Sequence, residues 1–582
     1  MRNLLAQRSL ISLTATAAFL LFSACTQLRQ PEPAPYFAET AAPPKQELRW
    51  SNGKAPKSLD PAKASAAPET DIARALYEGL TDLNPKTLDA IPAAAEKWEA
   101  SEDQRIWKFH LRGDAVWSNG KKLRAQDFVR SWKRLLELGD ETAHKELLAN
   151  IRGLEKKGAS APDPKAPDFI PTLTPNPVNA NSANTQMPAA SPTNSPDAAA
   201  EGVVAESETI LRVELVHPDK DFPKLVSHPI FRPVFEGEKE DPKQATVTNG
   251  PFRLSSLNAD GVVLDRSETY WDRESVKLER VSFVAAATPE KALEAYRTGK
   301  IDAVSNAEFS PAALKLLEPF DDFRRTTYNA LNFYEINIEK APFSDRRVRQ
   351  ALAMAIEREK LTEGELQGTT RPADRFLPAG SGSDTRLSSD LSRARSLLED
   401  IGYPDGEGFP VIRLLVNRND TQQRIARSVA QMWKQNLGIE TEIVVKETAE
   451  LDAARTLGDY DVIRRGVVLP TADETANLLS IFGPRVTVPA SGPAGTPDPG
   501  IEFRRGNSNS GPSAEDAEPT ESSVAAGPIV TENDALYELR AIPLYFPTSY
   551  SLVKPYVKGF DANALDAPSL KTVEIDPNWR TR

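Results

Sequence analysis

The sequence predicts an α/β fold in more than one lobe, interrupted by solvated insertions. Strand-like and helix-like pieces alternate along the chain. Its 582 residues exceed what one hydrophobic core usually serves, so two or three lobes are expected. Two internal stretches, 159–200 and 486–530, are rich in proline and small polar residues and lack apolar periodicity. They cannot bury enough surface to offset the entropy of ordering.

Taken in order, the chain opens with Arg2 and Arg8, an apolar run from Leu10 to Phe22, and the small residues Ser23 and Ala24, the layout of an export signal. The run is too short to span a bilayer, which takes roughly 20 apolar residues. Cys25, the single cysteine, follows it. One thiol can neither close an internal disulfide nor supply the ligands of a zinc site, so its role lies in its position. The Pro/Ala-rich segment 26–46 reads as a disordered tether. Further on, VVLDRS (262–267) reads as a strand, and EKALEAYRTG (290–299) as a helix that Gly299 ends before the apolar IDAVS. In RRVRQALAMAIEREKL (346–361), Val348, Leu352, Ala355 and Ile356 form the core stripe of a helix. IARSVAQMWKQNLGIETEIVV (425–445) predicts a helix closed near Gly438, then a β-branched strand.

Composition excludes more than it assigns. A net charge of −12 and a pI near 5.2 argue against nucleic acid or an anionic membrane surface as partner. The four histidines, His110, His144, His217 and His228, lack ligand spacing, so neither metal nor cofactor is expected. No G-x-S-x-G, H-E-x-x-H, P-loop or G-x-G-x-x-G is present, and the chain reads as no enzyme.

The ordered segments carry a resemblance. The signal resembles that of bacterial lipoproteins, in which cleavage leaves the cysteine to be acylated, with Phe22 where that pattern usually has Leu. The segments KSLDPAKA (57–64), ALYEGL (75–80), VTNGPFRL (247–254), YRTGKIDAV (296–304), NFYEINIEKAPFSDRRVRQALAMAIER (332–358), GDYDV (458–462) and IPLYFPTSYSLVKPYVKGF (542–560) resemble, in order, the bacterial extracellular solute-binding proteins of family 5. Those are the oligopeptide-, dipeptide- and nickel-binding lipoproteins of ABC importers. The resemblance implies a two-lobed periplasmic-binding-protein-like fold, a hinged trap with an extra subdomain on the first lobe. It places the signal and acylated cysteine at 1–25 and the first lobe at 47–80, 211–330 and 541–575. The extra subdomain would be 81–210, with 159–200 as its disordered insertion. The second lobe would be 331–540, with 486–530 standing where the family has a pair of helices.

It also implies a site. Glu78, Gly79 and Leu80 would lie on a strand of the first lobe at the cleft, with Asn249 and Gly250 nearby, Tyr334 and Glu335 at the lobe crossing, and Tyr545 as a cleft aromatic. Arg464 would supply a cation for a ligand carboxylate. Peptide binders of this family continue Gly-Trp-x-Ala-Asp, whose Asp holds the peptide's α-ammonium. Aligned from Gly466, this chain has Val467 for the Trp and Pro470 for the Asp, with Asp473 three residues late. The expected function is capture of a small peptide for an ABC permease by a lipid-anchored monomer exported to the periplasm or cell surface. A non-peptide solute, or a scaffold or sensor lipoprotein, is the alternative.

Overall fold

The computed structural model describes residues 35–38, 41–154, 202–236, 247–307, 309–378, 384–483, 528–561 and 563–580. Cys25, the run before it, most of the tether, all of 159–200 and nearly all of 486–530 lie outside these residues. Among the described residues, no helix is long and apolar enough to cross a membrane.

Three sheets organise the chain. The first has seven strands, in the order Phe323–Thr327, Thr548–Val553, Ala303–Val304, Glu47–Ser51, Arg280–Val284, Gly261–Arg266 and Phe252–Asn258. Glu47–Ser51 pairs in parallel with both its neighbours. Trp50, fully buried, packs between Phe283 and Phe560 at centroid separations of 5.2 and 5.1 Å. Strands predicted at 262–267 and helix at 290–299 are observed as Gly261–Arg266 and Pro289–Arg297.

The second sheet has six strands, in the order Arg371–Pro372, Ala541–Phe546, Ala330–Ile336, Val462–Val468, Ile412–Asn417 and Thr441–Lys446. Its helix Asp420–Leu437 links two parallel strands, as a crossover must. Local chemistry fixes that helix at both ends. Asn419 accepts from Gln422 N at 3.0 Å, and Gly438 takes the left-handed conformation at φ 72°. A Cβ at Gly438 would fall 2.0 Å from the Asp405 carbonyl oxygen, so only glycine fits. Ile425, Val429, Met432 and Trp433 face the core, and Trp433 Nε1 donates to Leu352 O at 3.0 Å. The predicted helix at 346–361 is two pieces, Arg346–Met354 and Arg358–Lys360.

The third sheet, Ala95–Ala100, Ile106–Leu111, Ile210–Glu214 and Val203–Ala205, packs on the helix Ala125–Leu138. Its strand Ile210–Glu214 runs past residue 210, where the expected subdomain ends.

Helices flank the low-complexity stretch 486–530, nearly all of which lies outside the described residues: Glu474–Phe482 precedes it and Glu532–Glu538 follows. Glu474 Oε1 accepts from Glu532 N at 2.8 Å, and Phe482 meets Phe376 edge-on at 5.1 Å. The first helix buries Ala476, Leu478 and Ile481, and the second Ala535 and Leu536.

Candidate ligand cleft

The chain passes between the first two sheets twice, each time in one or two residues. Tyr328 and Asn329 join Phe323–Thr327 to Ala330–Ile336, and Pro547 joins Ala541–Phe546 to Thr548–Val553. The crossings are tied together by Tyr328 N donating to Pro547 O at 2.9 Å. Asn329, 1 % exposed, fixes the second lobe's wall at the crossing. Its Nδ2 donates to Leu469 O at 2.7 Å and to Thr471 O at 2.8 Å, which holds Pro470 between them.

Pro470 opens onto a cleft between the lobes that encloses about 710 Å³ of space, part of it open to solvent. The first lobe contributes Asp71, Arg74 and Lys571, with Asp82 from the start of the subdomain beside them; the second contributes Pro470 and Thr471. An adjoining cavity of about 620 Å³ shares Asp71, Arg74 and Pro470 and adds Tyr328 and Asp566. Asp71 and Arg74 lie three apart on the helix Glu69–Leu76, so both reach the cleft side and pair at 3.2 Å. Asp71 also accepts from Asn52 Nδ2 at 2.9 Å. Burial pushes the Asp71 carboxyl up to about 6, against the pull of Arg74 and Asn52. Asp566 accepts from Ser549 Oγ at 2.7 Å, and burial raises its carboxyl too.

The first-lobe floor beneath is an internally satisfied charge network. Lys571 Nζ lies 2.7 Å from Asp82 and 3.5 Å from Glu78. Burial works against ionisation of Asp82, yet Lys571 and Arg232 pull its carboxyl down to about 2. Glu78 also accepts from the Tyr270 hydroxyl and from Trp271 Nε1 at 2.7 Å.

The residues that sequence singled out fall into three groups. Glu78, Gly79, Leu80, Asn249 and Gly250 come together, but inside the first lobe. Residues 78–80 are irregular, not strand; the strand begins at Thr81 because Asn249 takes over the backbone of Glu78, accepting from its N at 3.1 Å and donating to its O at 3.0 Å. A Cβ on Gly250 would sit 2.6 Å from the Leu76 carbonyl carbon, and one on Gly79 3.2 Å from Thr81 O. Leu80 is buried in the subdomain's apolar cluster. None of the five lines either cavity.

Tyr334, Arg464, Gly466 and Tyr545 gather on the second sheet around Asn332. Arg464 stands opposite Tyr334, and Gly466 opposite Asn332. Arg464 Nη2 donates to Asn332 Oδ1 at 2.5 Å, and a Cβ on Gly466 would lie 2.9 Å from Arg464 Nη2, so the glycine makes room for the guanidinium. Tyr545 accepts from Gln422 Nε2 at 2.9 Å. Tyr334 is fully buried, with its hydroxyl unbonded. Arg464 is half-buried and outside the lining of both cavities.

Glu335 and Asp473 stand apart. Glu335 points to the other face of its strand, where it accepts from Arg455 Nε at 2.8 Å, Arg465 Nη1 at 2.7 Å and the Tyr460 hydroxyl at 2.7 Å. Burial alone would raise its carboxyl, but the two guanidinium groups outweigh it and the net shift is downward. Asp473, fully buried, caps the Glu474–Phe482 helix by accepting from Ala476 N at 2.6 Å, away from both cavities. Sequence reasoning missed Asp71, Arg74, Asp566 and Lys571. Only the i, i+3 spacing of Asp71 and Arg74 could have hinted at a shared face. Among the described residues no cluster of histidine, cysteine and carboxylates could hold a metal.

Two α/β lobes, two short crossings and a cavity at the crossing define a hinged ligand trap. Comparison with known proteins makes this specific: the chain belongs to the bacterial extracellular solute-binding proteins of family 5, whose middle-region model matches residues 89–487. It is 30% identical over 554 residues to the periplasmic murein peptide-binding protein MppA of Escherichia coli (strain K12), covering 89% of this chain and 91% of that one. It is 29% identical over 443 residues to the periplasmic oligopeptide-binding protein OppA of the same organism, covering 72% and 74%. Among solved structures it superposes on a periplasmic murein tripeptide-binding protein MppA in its unliganded open form with a TM-score of 0.67, at 27% identity, over 92% of this chain and 98% of that one.

Proposed function

We propose that this protein captures an oligopeptide or dipeptide between its lobes and delivers it to the membrane permease of an ABC importer. The observation that carries this reading is the inter-lobe cavity with Asp71, Arg74 and Asp566 on one wall, in a family 5 chain whose relatives are named as peptide binders. A peptide brings charged ends and backbone groups that must find partners when they leave water. Calorimetry on the mature domain with di- to pentapeptides is the test, and silence toward all of them sinks the peptide reading. Pro470 supports a second one, a non-peptide solute, because the second lobe's wall lacks the carboxylate that an α-ammonium would seek there. Mass spectrometry of whatever copurifies from native extract separates the two.

The finer reading is that Cys25 is acylated and anchors a monomer, exported to the periplasm or cell surface, on the tether 26–46. Clickable fatty-acid labelling tests the anchor, which fails if Cys25→Ser still takes label. We propose the division expected from the sequence, first lobe 47–80, 211–330 and 541–575, subdomain 81–210 and second lobe 331–540, with one shift: the strand Ile210–Glu214 and the apolar residues through Phe231 go with the subdomain. We propose that Arg464, with Gly466, Tyr334 and Tyr545 around it, meets a ligand carboxylate once the lobes close.

A further inference from the structure

Away from the cavities, the third sheet's subdomain touches the second lobe at a compact junction. The loop after Ile210–Glu214 meets the start of the Glu474–Phe482 helix: Lys220 Nζ lies 2.6 Å from Glu474 Oε2, and Ala476 packs into the subdomain's apolar cluster. Beside that half-buried ion pair each side of the junction contributes one buried carboxyl group. Asp473 is fully buried and Asp219 is 2 % exposed. One oxygen of each has an internal role, since Asp473 Oδ1 accepts from Ala476 N at 2.6 Å and Asp219 Oδ1 from Asp221 N at 2.9 Å. The other oxygen of each is sealed from solvent with no donor to bond it. The two side chains are close enough to interact as a hydrogen-bonding pair once one of them carries a proton. Two buried oxygens can meet that way only if a proton lies between them, because an uncompensated pair of buried charges is strongly unfavourable.

We propose that Asp219 and Asp473 share one proton and act as a latch, so that pH sets whether the second lobe stays docked on the subdomain. The surroundings leave the proton as the bonding element. On the subdomain loop, Asp221 is met by Lys220 at 3.3 Å and by Lys224 at 3.1 Å, and His217 precedes the pair. On the second lobe, Glu474 is held by Lys220 and by Glu532 N, while Glu532 accepts from Phe376 N and Leu377 N. On the turn Lys145–Leu148, which packs against the same helix, Glu146 bonds His144 and Lys145 pairs with Asp140. Burial and mutual repulsion raise the pair's affinity for its proton above the ordinary carboxylate range. The sign follows from linkage: a raised affinity in the docked state means docking is fully favoured in acid and is lost as pH rises through the docked pair's own range.

Hydrogen exchange of the full mature chain, followed across roughly pH 5 to 9, reads the latch directly. Segments 473–482 and 219–226 should lose protection in a step beyond the intrinsic pH dependence, about tenfold for each unit by which docking raises the pair's pKa. In Asp473→Asn the amide oxygen still caps Ala476 N, while the amide N–H donates to Asp219 at every pH, so the step should vanish with protection retained. Asp219→Asn should do the same from the other side. Lys220→Ala should keep the step. A wild type with no step, a step surviving in both Asn variants, or its loss in Lys220→Ala would each overturn the latch.

Discussion

The two walls of the cleft are built on opposite plans. The first lobe's wall is charged, with Asp71, Arg74 and Lys571 at the cavity, Asp82 of the subdomain beside them and Glu78 directly beneath. The second lobe presents uncharged residues, Val468, Leu469, Pro470 and Thr471, and keeps its charges elsewhere, Glu335 in a triad with Arg455 and Arg465, Arg464 against Asn332. A charged residue near a binding site is therefore not by itself a binding residue. What separates the two kinds is whether the fold already satisfies the charge.

The contrast can be broken most forcefully at Glu78. Glu78→Ala removes a partner of Lys571, Tyr270 and Trp271 together and leaves buried groups unpaired, which should cost roughly 3 to 5 kcal/mol of stability. Urea unfolding measures it, and a loss below about 1 kcal/mol would move Glu78 from the floor to the ligand. Next come the two arginines. Arg74→Ala and Arg464→Ala should each weaken binding of a short peptide by roughly 2 to 4 kcal/mol, both by calorimetry. A loss below about 1 kcal/mol for Arg464→Ala would mean that closure leaves Arg464 outside the site.

The third test uses pH. The Asp71 carboxyl, raised to about 6 by burial, binds its proton more tightly in the folded chain than in the unfolded one. Its contribution is fully present in acid and falls as pH rises to about 6, a loss on the order of 2 to 3 kcal/mol. Asp71→Asn should flatten the stability profile between pH 4 and 6 by about one proton; an unchanged slope places the titration elsewhere. The smallest effect is expected at Pro470→Asp, which gives the second wall a carboxylate. Peptides with a free amino terminus should gain about 1 to 2 kcal/mol over their N-acetylated forms, and equal gains for both would show that the amino terminus lies elsewhere.

How much of this was legible in sequence depended on the range of the interactions involved. The helix Asp420–Leu437 could be read because its cap, its apolar period and its closing glycine sit within twenty residues. The Glu335 triad could not, since its arginines lie 120 and 130 positions away. Motif resemblance put LYEGL and TNGPF near one another at the cleft, whereas the hydrogen bonds between Asn249 and Glu78 show them bracing each other inside the first lobe. Asp71 and Lys571 share a cavity by topology alone, 500 residues apart in the chain.

Asn329's grip on Leu469 and Thr471 has a mechanical consequence. A point at a pivot sweeps almost no arc, whereas points farther along a swinging body travel in proportion to their radius. Pro470, clamped beside the crossing, stays nearly stationary while the outer parts of the second lobe traverse the gap. The end of a ligand lodged there meets the same surroundings whether the jaws stand apart or together, and extra length must extend outward, into the part of the gap whose width the swing adjusts. Such a trap gauges one terminus with a fixed stop and accommodates the remainder with a sliding jaw, like a calliper.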